Sequence, residues 1–357
     1  MRKEQTLGEV LAAKGVSRRG FMKFVAATTS LMALPPSMIG KVAHALENAK
    51  RPSVIWLPFQ ECTGCTESLT RSHAPSLEGL IFDTISLDYQ ETIMAAAGHQ
   101  AEEALAETMQ ANYGKYQLAV DGSIPTKDKA FSCIGGKSNY DVFVEAAKGA
   151  AAIVCVGTCS SFGGIPAALP NPTGAKSVTE VLKEAGIEKP VINVPGCPPL
   201  PNAITGVLAQ YLTFGELPEL DQLGRPKAFY GQNIHDRCYR RPFYERGQFA
   251  ETFDDEGAKK GWCLFKVGCK GPVTYNACAT IKWNGGTGWP VEGGHGCLGC
   301  SEPGFWDWGG FYKPLSQGQW GGWKTLGVAA AAGAAIGLAS VAVTRSRQAK
   351  AREEAKV

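Results

Sequence analysis

The placement of twelve cysteines limits what this 357-residue chain can fold into more than any other feature. Two pairs have the spacing Cys-x-x-Cys, Cys62/Cys65 and Cys297/Cys300. Cys159, Cys197, Cys238, Cys263, Cys269 and Cys278 stand singly between them. A two-residue gap suits neighbouring ligands of one metal centre better than a long-range disulfide staple. Cys133 and Cys155 fall outside these sets; Cys155 lies within an apolar run and reads as a small buried filler.

The first cysteines follow short apolar runs. Val54–Leu57, Ile81–Leu87, Leu118–Val120, Ala151–Val156 and Val191–Val194 each read as a buried strand. Helical patterns such as Asp141–Lys148 and Val178–Ala185 lie between them. Strands alternating with helices predict an α/β fold, a flavodoxin-like doubly wound parallel sheet over residues 46–225. Such sheets bind ligands beyond the carboxyl ends of their strands. Cys62/Cys65, Cys159 and Cys197 all sit in loops of that kind, so their four thiolates are expected to converge.

Residues 226–323 are rich in Gly, Trp and Cys and have little periodicity. So thin a core needs staples, and two sets are at hand. His235, Cys238, Cys263 and Cys269 offer four donors; Cys278, Cys297 and Cys300 offer three. Zinc, iron–sulfur clusters and, for an exported chain, disulfides all remain open at this point. His295 is the candidate fourth ligand if the three-Cys set holds zinc.

Both termini concern location. Ser17-Arg18-Arg19-Gly20-Phe21-Met22-Lys23 precedes an apolar run from Phe24 to Leu34, too short to span a bilayer but suited to a signal peptide. Ala43-His44-Ala45 supplies a small-x-small cleavage site, and the paired arginines resemble a twin-arginine signal over residues 1–45. Leu326–Val343 carries no charge, and the expected membrane helix spans 324–344. The basic tail, 345–357, then lies in the cytoplasm and the body on the exported side. Residues 1–45 carry a net charge of +5 and residues 344–357 one of +3, so within an overall +3 the body stands at −5. That balance excludes a basic nucleic-acid-binding body.

Seven blocks, in order, then identify a family. They are Glu61-Cys62-Thr63-Gly64-Cys65-Thr66-Glu67-Ser68, Gly157-Thr158-Cys159, Pro195-Gly196-Cys197-Pro198-Pro199, His235-x-x-Cys238, Gly261-Trp262-Cys263, Gly268-Cys269-Lys270-Gly271-Pro272 and Gly296-Cys297-x-x-Cys300. Together they resemble the small subunit of membrane-bound periplasmic nickel–iron hydrogenases, from the export signal to the membrane tail.

The resemblance implies an electron-transfer subunit of an H2:acceptor oxidoreductase, whose Ni–Fe centre lies in a separate large subunit. It implies that Cys62, Cys65, Cys159 and Cys197 hold a proximal [4Fe–4S] cluster. His235, Cys238, Cys263 and Cys269 would hold a distal [4Fe–4S] cluster, and Cys278, Cys297 and Cys300 a medial one. Pro290 stands where a four-iron medial site would offer another Cys, so a [3Fe–4S] cluster is expected there. No residue of this chain is expected to be catalytic, though Glu61 could assist proton transfer at the subunit junction. Electron acceptors implied are an integral membrane protein of cytochrome b type or a periplasmic cytochrome c. Oxygen-tolerant members carry two extra cysteines around the proximal site; here Gly64 and Gly164 occupy those positions, which predicts the standard, oxygen-sensitive type. The cluster-carrying chain of respiratory NADH dehydrogenase is similar in the N-terminal half only, and a disulfide-stapled exported binding protein is the remaining alternative.

Overall fold

The computed structural model describes residues 6, 9, 15–31, 34–48, 51–73, 76–77, 79–80, 85–214, 217–308 and 311–315. Five short strands build its sheet: β1 (Ser53–Pro58), β2 (Ser86–Gln90), β3 (Gln117–Asp121), β4 (Ala152–Val156) and β5 (Val191–Val194). All are parallel and lie in the order β2-β1-β3-β4-β5. This is the doubly wound order in which the chain reverses direction beside β1 and β3. β1, β3 and β4 are buried at every position, as a sheet covered on both faces requires.

Alternate residues of each strand feed two cores. Ile55, Leu57, Leu118, Val120, Ile153 and Cys155 face one side, where Phe143 and Leu182 pack on them. Val54, Trp56, Ala119, Val154, Val156 and Ile192 face the other, with Ile204, Val207 and Leu208 of a long helix. The helices, in chain order, are α1 (Arg18–Leu31), α2 (Ile39–Asn48), α3 (Gly64–Thr70), α4 (His99–Ala111), α5 (Asn139–Gly149), α6 (Thr158–Phe162), α7 (Val178–Ala185) and α8 (Pro201–Phe214). Their starts are legible in local chemistry. Ser138 caps α5, and Ser177 caps α7 in a reciprocal capping box with Glu180.

One strand departs from its expected position. The run Ile81–Leu87 is not β2; pairing with β1 begins at Ser86 and continues to Gln90, and residues 81–84 lie outside the described residues. β2 is an edge strand with one polar side, on which Ser53 and Ser86 donate to Asp88. Its alternating pattern carries less hydrophobic signal than the buried strands.

Within the region read as an export signal, α1 and α2 fold back on one another. Val25 and Val42 bury against Ala209 of α8, with Phe21 and Phe24 beside them. The expected membrane segment 324–344 and the basic tail lie outside the described residues. Among the described residues no helix is long and apolar enough to cross a membrane. The described residues up to Lys313 form one compact unit.

Past residue 225 regular structure gives way to single helical turns, among them Lys227–Tyr230, Ile234–Arg237, Arg241–Glu245 and Glu256–Lys259. A small core of Ile234, Ala250, Leu264, Val267, Trp289 and Val291 lies among them, and Cys238, Cys269, Cys278 and Cys297 pack against it. The cysteines are therefore part of what this region packs around.

Candidate metal centre

Because the sheet is parallel, β1, β3, β4 and β5 present their carboxyl ends on one edge, and Cys62, Cys65, Cys159 and Cys197 meet there. β1 leads to Cys62 and Cys65, the latter in the first turn of α3; β4 leads through Gly157 to Cys159 in α6; β5 leads through Gly196 to Cys197. Each of the four thiols lies within electrostatic reach of others in the set. Gly157 makes the convergence possible. Its φ is +96°, and a Cβ there would fall 2.5 Å from the Cys65 sulfur. Cys62 is exposed while the other three are partly covered, so this set opens to the surface.

Burial resists ionisation throughout the set. It pushes the Cys65 thiol well up, Cys159 up to about 12, and Cys197 upward. Beneath them lies Asp121, fully buried at the end of β3, which carries no motif in the sequence. Thr66 donates to it at 3.3 Å, and Gln90 donates to Thr66 at 2.9 Å. Burial, and next the charge of Glu61, lift the Asp121 carboxyl to about 8. Glu61 is half-buried and is itself pushed up by burial; its carboxylate accepts from the Thr63 backbone amide. Glu67 makes an ordinary surface pair with Arg71 at 2.6 Å.

The three-cysteine set lines a cavity of about 470 Å³. Cys278, Cys297 and Cys300 share its wall with Pro290, Trp283 and Cys197. Burial lifts the Cys278 and Cys300 thiols to about 12 and raises Cys297 as well. His295 is not in this wall. Its Nδ1 meets the Gly296 carbonyl at 2.7 Å, and its ring packs on Phe311 and Tyr312.

His235, Cys238, Cys263 and Cys269 line one narrow void with Phe265 and Arg240. The His235 ring packs edge-on against Tyr244 at 4.5 Å, and burial lowers its pKa, which keeps the imidazole neutral and able to ligate. Burial lifts Cys263 to about 11. Arg240, buried, holds the loop by donating to the Trp262 carbonyl at 2.8 Å, while its backbone amide reaches the Cys238 sulfur at 3.4 Å. Asp236 and Arg237 are exposed and pair with Arg241 and Gln232, as surface residues do.

All twelve cysteines are unpaired. Cys133 is exposed and stands apart from the three sets, near the Lys129 and Ala130 carbonyls, whereas Cys155 is fully buried in β4. Among the described residues no group of three or more His, Cys, Asp or Glu is set closely enough to hold a single ion. The sets are thus more open than a one-ion sphere. Thiols held together in low dielectric, where a bare thiolate is costly, suit a multi-iron group whose positive charge deprotonates them on binding.

Residues 62–211 match the family NADH ubiquinone oxidoreductase, 20 Kd subunit, and residues 230–312 match the C-terminal family of the NiFe/NiFeSe hydrogenase small subunit. The uptake hydrogenase small subunit of Afipia carboxidovorans is 50% identical over 97% of this chain and 95% of its own length. The chain belongs to the uptake hydrogenase small-subunit family. The small subunit from Alcaligenes hydrogenophilus is 48% identical, with 98% of each chain covered. Among solved structures, the Ni–Fe–Se hydrogenase of Desulfomicrobium baculatum in its reduced, active form is 39% identical with a TM-score of 0.70, over 74% of this chain and 100% of that one. As a hydrogenase small subunit the chain is the electron-transfer partner of a nickel–iron large subunit, and hydrogenase activity belongs to the pair. The match at 62–211 reflects the N-terminal half that this family shares with the respiratory complex; the C-terminal block decides between them.

Proposed function

We propose that the chain relays electrons from H2 oxidation in the large subunit through three iron–sulfur centres. Cys62, Cys65, Cys159 and Cys197 would hold a proximal [4Fe–4S] cluster, Cys278, Cys297 and Cys300 a medial [3Fe–4S] cluster, and His235, Cys238, Cys263 and Cys269 a distal [4Fe–4S] cluster. When bound, such clusters take up and release one electron at a time. The observation that carries this reading is that the three sets adjoin in series. Cys197 of the first set lines the cavity of the second, and the Cys297 amide of the second donates to the Cys269 sulfur of the third at 3.3 Å.

The protein's contribution is to bury the thiols, fix their spacing and aim backbone amides at their sulfurs. The exposed Cys62 end faces outward for the large subunit, with Glu61 placed to assist proton movement there. Pro290 in the medial wall leaves three ligands for three irons. Gly64 and Gly164 support the oxygen-sensitive type, since a Cβ at either would stand 3.2 Å from the Cys62 sulfur and 2.7 Å from the Cys159 sulfur. Neither position supplies a thiol.

The flanking segments complete the reading. Residues 1–45 form a twin-arginine export signal, 46–225 the flavodoxin-like domain and 226–323 the domain of the medial and distal clusters. Residues 324–344 anchor the chain in the membrane with 345–357 in the cytoplasm. The body then sits on the periplasmic side, where an integral acceptor of cytochrome b type or a periplasmic cytochrome c meets the distal end.

Anaerobic purification of the complex, with iron and nickel counted on the product, tests this. About twelve irons per heterodimer are expected, eleven from the three cluster types and one from the Ni–Fe centre, with nickel in the larger partner. Zinc in place of iron, or no metal, would sink the assignment. Pro290→Cys is expected to raise the count by about one iron and to remove the electron-paramagnetic signal of an oxidised three-iron cluster. An unchanged signal would mean that position 290 does not supply a ligand to the medial site.

A further inference from the structure

The proximal and medial sets come from distant parts of the chain, yet one hydroxyl ties them together. Thr158, fully buried, stands between Gly157 and Cys159. Its Oγ1 accepts the backbone N–H of Gly196, the residue before Cys197, at 2.9 Å and donates to the backbone carbonyl of Cys300. A hydroxyl has one donor and two acceptor sites, so both bonds are satisfied together. The Thr158 backbone amide returns a bond to the Gly196 carbonyl at 3.0 Å, which locks the two proximal loops to each other. On this clamp Cys197 and Cys300 line the wall of one cavity. A ligand proposed for the proximal set therefore shares a wall with one proposed for the medial set.

The medial-to-distal junction is held differently. The Cys297 amide donates to the Cys269 sulfur at 3.3 Å, and the Lys270 amide donates to the Cys297 carbonyl at 2.7 Å. There backbone holds backbone. At the first junction the carbonyl of Cys300 is held by a side chain, which can be changed.

We infer that Thr158 is a positioning residue for electron transfer: its hydroxyl holds the Cys300 backbone against the loop that carries Cys197 and so sets the coupling between the proximal and medial sites. This rests on the ligand assignments proposed above. One electron leaves the first site and the same electron reaches the second, so the step needs no proton or further reactant. Removing the hydroxyl leaves the Gly196 amide and the Cys300 carbonyl without their partner in a buried place, and the two loops separate to regain water or other bonds.

The test uses the intact heterodimer carrying Thr158→Val, with Thr158→Ser as the variant that keeps the hydroxyl. Paramagnetic resonance during a redox titration gives the potential and line shape of the medial signal. Stopped-flow reduction by H2 gives the rate at which electrons reach the distal site, expressed relative to H2/D2O isotope exchange at the large subunit. Valine is expected to shift the medial potential and to slow distal reduction several-fold, and serine to restore both. The inference is overturned if valine matches the parent in potential and rate, if serine is as defective as valine, or if valine loses all three clusters together. That last result is what a general folding role would produce. The ligand assignment fails separately: a parent complex without a three-iron signal, or a Cys300→Ser complex that keeps the parental signal, would remove it whatever Thr158 does.

Discussion

Gly157→Ala is expected to empty the proximal site. The position has a φ of +96°, a region L-residues enter at a cost of about 1–3 kcal/mol. The larger penalty is steric, since the new methyl would lie 2.5 Å from the Cys65 sulfur. The backbone cannot back away. The Gly157 amide donates to the Val194 carbonyl at 2.9 Å, and the Gly157 carbonyl accepts from Ser161 at 3.1 Å, so both sides of the peptide are held by β5 and α6. Cys65 must move instead, and one corner of the four-thiol set is lost. About four irons per chain should disappear, together with H2-driven reduction of the remaining sites. Gly114→Ala is the control for backbone strain alone. Its φ is +78° and a Cβ there meets nothing within 4 Å, so it should cost about 1 kcal/mol and leave the iron count unchanged. Equal iron loss from both variants would mean that strain, not contact with Cys65, governs the site.

The second large effect is expected at Arg225. Its side chain is 5% exposed; Nε meets Asp221 at 2.8 Å, and Nη1 meets Glu302 at 2.8 Å, two residues beyond Cys300. Glu302 also accepts the Tyr275 amide at 2.6 Å, and the guanidinium lies between the rings of Tyr230 and Tyr275. The cluster thus joins the segment after α8 to the segment carrying the three-cysteine set. Burial already raises the Glu302 carboxyl above its usual range, with Arg225 acting against that rise. Arg225→Met would leave this carboxylate buried and unpaired, which costs about 3–5 kcal/mol. A lower melting temperature and a weakened medial signal are the expected readouts in the purified complex. Arg225→Met combined with Glu302→Met should recover part of the stability, because a buried pair replaced by apolar groups is far less costly than half a pair. No recovery in the double variant would show that the stacking of Arg225 on the two tyrosines, and not the charge pair, holds the loop.

Much of this protein was legible in its sequence, for physical reasons that differ between regions. Val191–Val194 is the strand expected, and Val178–Ala185 the helix expected, residue for residue. Buried parallel strands read as continuous apolar runs, and a helix opened by a capping box announces its own start. β2 slipped toward Gln90 because an edge strand alternates and its register comes from pairing with β1, which composition does not encode. Residues 226–323 carried little periodicity; their described single turns pack around thiols, and there the cysteines, His235 and Pro290 were the readable signals.

The chemistry of the centres was likewise local, since ligand type and Cys-x-x-Cys spacing survive in one dimension. What the chain alone settled was its family, the parallel sheet, and which thiols sit in the loops beyond the strands. What only the tertiary structure decided was how those loops meet. Thr158 against Cys300, Arg225 against Glu302, Asp121 beneath Cys65, and the space at Gly157 for a sulfur are contacts between residues far apart in sequence, each made by a bond length or a missing methyl. Such contacts leave no periodic trace along the chain, because their partners are chosen by the folding of the sheet edge and not by their neighbours in sequence.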